Sequence, residues 1–507
     1  MLLNPPSADP SDSPQVAELK RQLHWAFLRI QVLEERLRLQ RIKKYGPGSE
    51  QLSDAQLALL ELEPGVSRAE VQAESQREPL PAGPRPQRRP HPGRQELPAD
   101  LPRVEQTLAC GPEEGACRAC GQPTVVIGYD VSEQLDVEPA RYFVRVTKRE
   151  KRACPCCGEG GVAAAPLPAR IIEKGLVSDR VVIDTVVAKY SDHLPLYRQS
   201  AILKRETGVD LSRATLDGWV MRVGELLTPL VELMGRELVA GTYIQADETP
   251  VDVQRHDGRG QNHQAWLWQY SRPGGSVVFD FRLGRSRDGP KQFLGQFEGI
   301  LQTDGYAAYE QVGGPQIVLA GGWAHTRRKF LEAGQLNPGD ALAARIVARL
   351  DALFALDAEA RAQNLDLAAR HARRQERAKP LLEALHQEIE AARTQALPAS
   401  ALGKAAHYAL AQWPKLTRFL EYPELELSTN LTENSMRPVA LGRKNWIHVG
   451  SPQAGPKVAA ILSVVETCRR LSIPVRDYLA DVLPGLAATS IQKLADLTPA
   501  AWAARHR

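Results

Sequence analysis

The segment Tyr243-Ile-Gln-Ala-Asp247-Glu-Thr-Pro250 places an acid directly after a short apolar, β-prone run. The later segment Leu301-Gln-Thr-Asp304-Gly305 repeats this pattern, and its glycine is suited to a sharp turn immediately after the acid. A carboxylate at the end of a strand is held rigidly and is exposed at the rim of a sheet. We therefore predict an α/β domain in which two strands end on Asp247 and Asp304.

A third acid, Glu433, lies in the segment Asn430-Leu-Thr-Glu433-Asn-Ser-Met-Arg437-Pro438, at the predicted start of a helix. Any one of the three acids taken alone is better explained as a turn former or a solvated charge. Three acids in such settings favour a shared metal site, and oxygen ligands suit Mg²⁺ or Mn²⁺ rather than zinc. Two such ions about 4 Å apart activate an attacking oxygen and stabilise a leaving one during phosphoryl transfer.

Four segments together resemble the DDE transposases of the insertion sequence 66 family. They are Ala246-Asp-Glu-Thr-Pro250, Asp304-Gly-Tyr-Ala-Ala-Tyr309, Trp323-Ala-His-Thr-Arg-Arg-Lys-Phe330 and Glu433-Asn-Ser-Met-Arg-Pro-Val-Ala-Leu-Gly-Arg-Lys-Asn-Trp446. The resemblance extends from about the cysteine cluster to the C-terminus. One departure is Gly322, which stands where family members often carry a cysteine, and this counts against a metal ligand at that position.

The resemblance implies an RNase H-like catalytic domain: a mixed sheet with helices on both faces, interrupted by a helical insertion before the third acid. It also implies that Asp247, Asp304 and Glu433 are the catalytic triad and hold two Mg²⁺ (or Mn²⁺) ions per active site. The implied partners are double-stranded DNA, both as transposon terminal inverted repeats and as target, and accessory transposition proteins encoded alongside.

At 507 residues the chain is long enough for several domains. No apolar run approaches the ~20 residues of a membrane span, and the N-terminus lacks a secretory pattern. We therefore expect a cytoplasmic, nucleoid-associated protein with no membrane partner. The net charge of +4 does not by itself indicate DNA binding. Basic residues cluster at 85–94, 148–152 and 437–444, however, and such local patches bind DNA phosphates.

The predicted organisation is a multidomain α/β chain. In order, we predict a disordered leader with a coiled-coil or helical N-terminus (1–68), a Pro/Arg-rich linker (69–101), a zinc-binding module (102–170), a helical, helix-turn-helix-like DNA-binding region (171–240), the first part of the catalytic core (241–338), a helical insertion (339–425), the last part of the core with the third carboxylate (426–485) and a C-terminal tail (486–507).

Apolar residues near the N-terminus alternate spacings of three and four, which is the pattern of an a/d seam. They are Val16, Leu19, Leu23, Ala26, Ile30, Leu33 and Leu37. A coiled coil and an amphipathic helix packed on a globular body explain about three heptads equally well. A coiled coil predicts a homo-oligomer, as a transposase that brings two DNA ends together requires.

Six of the seven cysteines lie between Cys110 and Cys157 in a chain with no export signal, which favours metal over disulfides. Two Cys-x-x-Cys pairs, Cys117 with Cys120 and Cys154 with Cys157, predict one structural Zn²⁺ site. Cys156 competes with the second pair, and free buried cysteines are the alternative. The intervening region is β-prone and includes a predicted strand at Tyr142–Thr147.

Residues 196–206 and 213–222 are predicted helices joined by a turn that contains Gly208, with Ser212 as the N-cap of the second. This is a helix-turn-helix pattern, although any two-helix hairpin is similar. The predicted groove-facing residues are Arg213, Thr215, Asp217 and Arg222.

Basic residues near the acids are predicted to bind DNA phosphates. They are Arg327, Arg328, Lys329, Arg437, Arg443 and Lys444. A solvated basic face is the alternative for the first three. Glu248 adjoins Asp247 but is expected to support the site indirectly.

The sequence thus predicts a transposase that cleaves transposon-end phosphodiester bonds and transfers strands into target DNA. One alternative is an RNase H-like nuclease or resolvase, which has no evident need for the upstream modules. The other is a domesticated transposase that acts as a DNA-binding regulator, and three intact acids argue against it.

Overall fold

The computed structural model describes residues 168–506 apart from 174, 255–261 and 338. It also describes residues 142–148, 150–153, 162–164 and 166, and eight positions between 15 and 30. The predicted linker at 69–101 and the six clustered cysteines lie outside the described residues. The chain divides into two compact units, one formed by Met1–Pro81 with Lys151–Arg507 and the other by Ala82–Glu150.

In the smaller unit, residues 142–148 have no regular secondary structure, so the predicted strand Tyr142–Thr147 is wrong. The side chains of Phe143, Val144 and Val146 are exposed there. Strand propensity reflects how well a side chain fits a half-buried pleated surface, and these side chains pack on no such surface.

In the larger unit, the described positions between 15 and 30 are helical. Val16, Leu19, Leu23 and Ile30 of the predicted seam are exposed. The predicted helix is therefore present at these positions, and its apolar face is turned to solvent.

In the described stretch from 175 to 240, three helices precede the central sheet: α1 (Asp179–Tyr190), α2 (Leu196–Thr207) and α3 (Arg213–Val239). Gly208 ends α2 with a left-handed φ of 71°, and the Ser212 hydroxyl caps α3 by accepting a hydrogen bond from the Thr215 amide, both as predicted. The helix α3 is longer than predicted because a buried stripe continues along it. The stripe comprises Leu216, Val220, Val223, Leu227, Leu230, Met234 and Leu238.

Two short strands, β1 (Lys151–Ala153) and β2 (Val162–Ala164), form an antiparallel pair. The central sheet contains β3 (Tyr243–Val253), β4 (His263–Ser271), β5 (Val277–Arg282), β6 (Ile300–Thr303), β7 (Val318–Gly321) and β8 (His448–Val449). Among the described residues its order is β5-β4-β3-β6-β7, with β8 also beside β3. The strand β4 is antiparallel to β3 and β5, whereas β6 is parallel to β3 and β7.

The strand β3 does not end at Asp247, and this prediction is wrong. The strand continues to Val253 and stays paired with β4 over its whole second half. The cause is burial of the later side chains, since Val251 and Val253 are 1% and 0% exposed. On its other side, β3 pairs with β6 at Tyr243–Gln245 and with β8 at Asp252 and Val253. Between these two pairings, beside Asp247, β3 has no strand partner on this side among the described residues, which leaves an opening in the sheet.

The remaining elements of the larger unit are mainly helices. After α4 (Asp288–Leu294), the first part of the core closes with α5 (Trp323–Leu336). The insertion contains α6 (Ala341–Ala362), α7 (Leu367–Arg373), a π-helical turn (Arg374–Ala378), α8 (Lys379–Gln395) and α9 (Ala401–Leu416). The third acid lies in α10 (Asn430–Trp446), which is not the last helix: α11 (Ala454–Arg470), α12 (Val475–Leu486) and α13 (Pro499–Arg505) follow.

Two hydrophobic clusters lie against the sheet. The larger joins α1–α3 and α10–α13 to strands β3–β6, while the smaller joins α5 and the insertion to Tyr243, Ile300 and Ala320. The sheet therefore carries helices on both faces, as predicted, and the insertion covers the face that bears Tyr243.

Candidate functional site

The pairing register brings Asp247 and Asp304 together. Gln245 of β3 pairs with Gln302 of β6 in a parallel ladder, and each acid lies two residues further along the chain, Asp247 within β3 and Asp304 directly after β6. Alternate residues of a strand share a face, so each acid projects from the same face as its glutamine. After Asp304, Gly305 has a φ of 90°, which provides the predicted turn.

Each aspartate is anchored by the backbone that follows it. The Glu248 amide donates to Oδ1 of Asp247 at 2.8 Å, and the Tyr306 amide donates to Oδ1 of Asp304 at 2.9 Å. The Tyr408 hydroxyl of α9 donates to the Asp304 carbonyl at 2.8 Å, so the insertion also contacts this segment. Sequence analysis did not identify Tyr408, because its contact joins segments far apart in the chain.

Glu433 reaches the site from the first turn of α10. Its Oε2 lies 3.4 Å from a guanidinium nitrogen of Arg328, and its Oε1 lies 3.7 Å from Nδ1 of His325. Both residues lie near the start of α5. Oε1 of Glu433 is buried and has no hydrogen-bond partner among the described residues, so it is available to a ligand.

Asp304 and Glu433 are close enough to Asp247 to affect its ionisation. The pKa of Asp247 is raised to about 7, chiefly by burial, while the negative charges of Glu248, Asp304 and Glu433 add to the rise and a backbone hydrogen bond from Glu248 opposes it. Like charges gathered in a poorly solvated site disfavour ionisation unless a cation neutralises them. The arrangement therefore favours binding of a positive group between these acids.

Glu248 has a different environment from the three acids. Its side chain is only 1% exposed and forms an ion pair of 2.6 Å with Arg285. The Tyr309 hydroxyl donates to its second oxygen at 3.0 Å. Arg285 also lies over the rings of Trp266 and Tyr306, 4.6 and 3.9 Å from their centroids. Sequence analysis did not identify Arg285, and no local signal distinguishes it from other surface arginines.

The six predicted DNA-binding residues have different surroundings. Arg437 and Lys444 are exposed on α10, and Arg328 is half exposed beside Glu433. Arg327 forms an ion pair with Asp351 of the insertion, and Lys329 lies 4.6 Å from the centre of the Tyr408 ring.

Arg443, the sixth of these residues, is half-buried and contributes to the fold. Its guanidinium donates to the Thr249 hydroxyl at 3.0 Å and to the Pro250 carbonyl at 2.5 Å. These contacts cover the part of β3 that lacks a strand partner on this side among the described residues.

The donor set of the three acids fits a hard divalent cation. All the available donors are carboxylate oxygens, and one of them is a buried oxygen without a partner. In the described part of the chain, no three His, Cys, Asp or Glu side chains are grouped tightly enough to form a ready metal centre.

Other predicted site residues lie away from the acids or outside the description. Arg213, Thr215 and Asp217 are exposed at the start of α3, and Arg222 is half-buried there. Cys117, Cys120, Cys154 and Cys157 lie outside the described residues. None of the described helices is long and apolar enough to cross a membrane.

Comparisons with known families divide the chain into three matched regions. The model described as "Transposase IS66 family" matches residues 174–457, which include all three acids. The model described as "zinc-finger binding domain of transposase IS66" matches residues 114–158, a range that contains both Cys-x-x-Cys pairs but not Cys110. The model described as "Transposase C of IS166 homeodomain" matches residues 32–105, which overlap the predicted linker.

Three similar proteins come from Sinorhizobium fredii (strain NBRC 101917 / NGR234). Uncharacterized protein y4qI is 35% identical over 495 residues, covering 93% of this chain and 89% of the relative. Uncharacterized protein y4jD is 33% identical, covering 80% of this chain and 82% of the relative. Uncharacterized protein y4hP is 30% identical, covering 94% and 88%. The similarity thus extends over nearly the whole chain.

Proposed function

Because this chain belongs to the IS66 family of transposases, we propose that it cuts transposon ends and joins them to target DNA by metal-dependent phosphoryl transfer. The observation that carries the proposal is the parallel register of β3 and β6, which sets Asp247 beside Asp304; the charges of Asp304 and Glu433 also contribute to the raised pKa of Asp247. Acids from two parallel strands and a distant helix converge on one opening in the sheet, where a phosphodiester can approach them.

The proposal includes an RNase H-like catalytic core. The mixed sheet, the helices on both faces and the helical insertion before the third acid support this assignment. Asp247 lies on the central strand β3 and Asp304 directly follows its parallel neighbour β6. These positions hold two acids on rigid elements, as a site that works mainly by positioning requires.

Asp247, Asp304 and Glu433 are proposed to hold two Mg²⁺ or Mn²⁺ ions. Divalent cations bound there supply the positive charge that activates an attacking oxygen and stabilises a leaving one. Arg328 and His325 lie beside Glu433 and restrict where its carboxylate points. The protein itself forms no covalent intermediate in this scheme, so positioning and electrostatics account for the catalysis.

Two successive displacements complete the proposed reaction. Water attacks the phosphorus at the transposon end, the bond to the 3′ oxygen breaks, and a 3′-hydroxyl is released. That hydroxyl then attacks a phosphorus of target DNA, loses its proton to solvent and displaces the target's own 3′ oxygen. Each step forms one phosphorus–oxygen bond and breaks one, and no oxidant or reductant is needed.

A basic stripe on α10 supports DNA binding next to the acids. Glu433, Arg437 and Lys444 are spaced by four and seven residues, so they lie on one face of the helix. A DNA backbone that runs along this face away from the acids brings its phosphates to Arg437 and Lys444. At the edges of this surface, four further residues are proposed to contribute: Arg327, Arg328, Lys329 and Arg443. The three arginines already form ion pairs or internal hydrogen bonds, and Lys329 lies against the Tyr408 ring.

Upstream modules complete the proposal. The exposed residues at the start of α3 are proposed to contact DNA, and the two Cys-x-x-Cys pairs are proposed to bind one structural Zn²⁺. The exposed apolar seam near the N-terminus supports self-association through a coiled coil. In this proposal, the modules bind and pair two DNA ends, so that the acids act at those ends rather than at an arbitrary phosphodiester.

The test is cleavage of a labelled duplex that carries the inverted repeats flanking the gene. We expect strand cuts at the repeat end in Mg²⁺ and none in EDTA. Cutting of unrelated duplexes or of four-way junctions at equal rates favours the nuclease or resolvase. Tight binding of the repeats without any cut in Mg²⁺ or Mn²⁺ favours the DNA-binding regulator.

A further inference from the structure

A buried cluster of polar side chains lies beneath the acids. Its members are Tyr243, Gln245, Gln302 and Thr432, and they are 9%, 0%, 1% and 0% exposed. Burying an amide without hydrogen bonds is costly, so two glutamines in strand interiors require specific partners. The structure provides those partners from several distant segments.

Gln245 contacts three of these segments. Its Nε2 lies 2.9 Å from Oε1 of Gln302 and 3.2 Å from the carbonyl oxygen of Ser428. Its Oε1 accepts a hydrogen bond from the Thr432 hydroxyl at 3.1 Å. One side chain of β3 is therefore bonded to β6, to the segment that leaves the insertion and to the first turn of α10.

Gln302 extends the same cluster. Its Nε2 donates to the carbonyl oxygens of Gly321 at 2.9 Å and of Glu426 at 2.7 Å. Its Oε1 accepts a hydrogen bond from the Tyr243 hydroxyl at 2.5 Å. Both ends of the amide are thus bonded, which fixes its orientation and ties β6 to the end of β7 and to the approach to α10.

Three of the segments in the cluster also carry one of the three acids. Gln245 precedes Asp247 by two residues within β3, and Gln302 precedes Asp304 by two residues at the end of β6. Thr432 directly precedes Glu433. Because the whole insertion separates Glu433 from the two strands, its placement depends on non-local contacts such as these.

We infer that Gln245 and Gln302 form a positioning pair that sets the relative placement of Asp247, Asp304 and Glu433, with the Thr432 hydroxyl as the link to the third acid. The inference rests on the proposed function, since it concerns the geometry needed for cleavage. A neutral amide suits this role because it donates and accepts at once and adds no charge beside the acids. Neither a carboxylate nor an apolar side chain can make the same set of bonds.

The experiment compares Thr432→Val with Thr432→Ser in the full chain. Valine keeps the shape of threonine but removes the hydroxyl, whereas serine keeps the hydroxyl. We expect Thr432→Val to lower the single-turnover cleavage rate of the labelled repeat duplex by about 10- to 100-fold, the range that a misplacement of about 1 Å produces. We also expect a several-fold higher Mg²⁺ concentration for half-maximal rate, unchanged gel-shift affinity, and recovery to within about 3-fold in Thr432→Ser.

Thr467→Val is the matched control. Thr467 is equally buried, and its hydroxyl makes two hydrogen bonds to the Val277 backbone, at 2.9 and 3.0 Å, where α11 covers the edge strand β5. We expect this variant to lower the melting temperature while the rate per folded molecule and the Mg²⁺ requirement stay at the parental level. Gln245→Met, which removes the whole amide, should reduce the rate more than Thr432→Val.

The outcomes separate this inference from the proposed function. A parental protein that makes no cut overturns the proposed function and this inference with it. A parental protein that cuts, together with a Thr432→Val variant of equal rate and equal Mg²⁺ requirement, overturns the inference alone. A rate loss in Thr432→Val that is matched by Thr467→Val, with no change in Mg²⁺ requirement, also overturns it, since the hydroxyl then serves stability only.

Discussion

Arg285 and Glu248 form an ion pair in which the guanidinium contacts Oε1 of Glu248 at 3.0 and 2.6 Å. The ion pair gives Asp247 and Glu248, which are neighbours on β3, different electrostatic environments. Glu248 has a cation of its own, and it lies beside Asp247, whose ionisation is opposed by the other acids. Glu248 therefore has a cationic partner, whereas the pKa of Asp247 is raised by burial and by the negative charges around it.

Replacing Asp247 or Asp304 by Asn, or Glu433 by Gln, should abolish cleavage and strand transfer. Each change keeps the size of the side chain but removes the charge that attracts a divalent cation. Binding of repeat DNA should be retained or slightly stronger, because carboxylates without a cation repel phosphates. Cleavage and gel-shift assays on the same preparations measure both. Full activity in Glu433→Gln contradicts its place in the triad.

Glu248→Gln is the matched comparison, and it should retain substantial cleavage. A glutamine oxygen can still accept hydrogen bonds from Arg285 and Tyr309, so the local packing is kept. Loss of the charge should lower the melting temperature slightly. If this variant is as inactive as Asp247→Asn, then Glu248 is itself part of the metal site.

Asp247→Asn should stabilise the protein at pH 8 in EDTA. The pKa of Asp247 is raised to about 7 from an ordinary value of 3.8. Its contribution to stability is therefore full below pH 4 and is lost as pH rises through 7, whereas asparagine does not titrate. One pKa unit corresponds to about 1.4 kcal/mol, so the rise from 3.8 to about 7 corresponds to about 4 kcal/mol, and we expect a gain of up to that size at pH 8 and none near pH 4.

Urea unfolding at the two pH values measures this effect. Added Mg²⁺ should raise the free energy of unfolding of the parental protein and leave that of Asp247→Asn unchanged, because the ion binds only the folded, charged site. Equal stability of both proteins at pH 8 in EDTA contradicts the crowding of acids described above.

Arg437→Ala should weaken binding to any DNA sequence and reduce the slope of log affinity against log salt by about one unit. The matched control is Arg393→Ala on the insertion, an exposed arginine whose ion pair with Glu390 is local. Its slope should equal that of the parental protein. Arg443→Ala should additionally lower the melting temperature, because Arg443 donates to Thr249 and Pro250. An unchanged slope in Arg437→Ala means that this residue is only a surface charge.

Cys117→Ser should lose one tightly bound zinc per chain and destabilise the N-terminal half, because structural zinc contributes folding free energy directly. Cys110→Ser is the control, since Cys110 lies outside the residues that match the zinc-finger model. Cys156→Ser decides whether that residue competes with the second pair. Metal analysis under reducing conditions provides the measurement, and a parental protein without zinc rules the site out.

Local patterns were sufficient for most of the secondary structure. The helix-turn-helix, the turn at Gly305, the strands on either side of Asp304 and the helical insertion were all predicted, because short-range periodicity and turn residues encode them. The pattern Gln-x-Asp, which occurs at both Gln245 and Gln302, was a further signal. Polar residues two positions before an acid in apolar strands indicate buried partners, but the sequence does not say which partners.

The sequence by itself determined which acids, cysteines and cations the chain has, and it predicted the helices and strands near the three acids, because those features depend on residues close to one another. Only the tertiary structure decided that β3 continues past Asp247, because that depends on the burial of Val251 and Val253 against other elements. It also decided that Arg285 pairs with Glu248 and that Thr432 reaches Gln245 across the insertion. These contacts join residues that are distant in the chain, and their geometry depends on how the two hydrophobic clusters pack against the sheet.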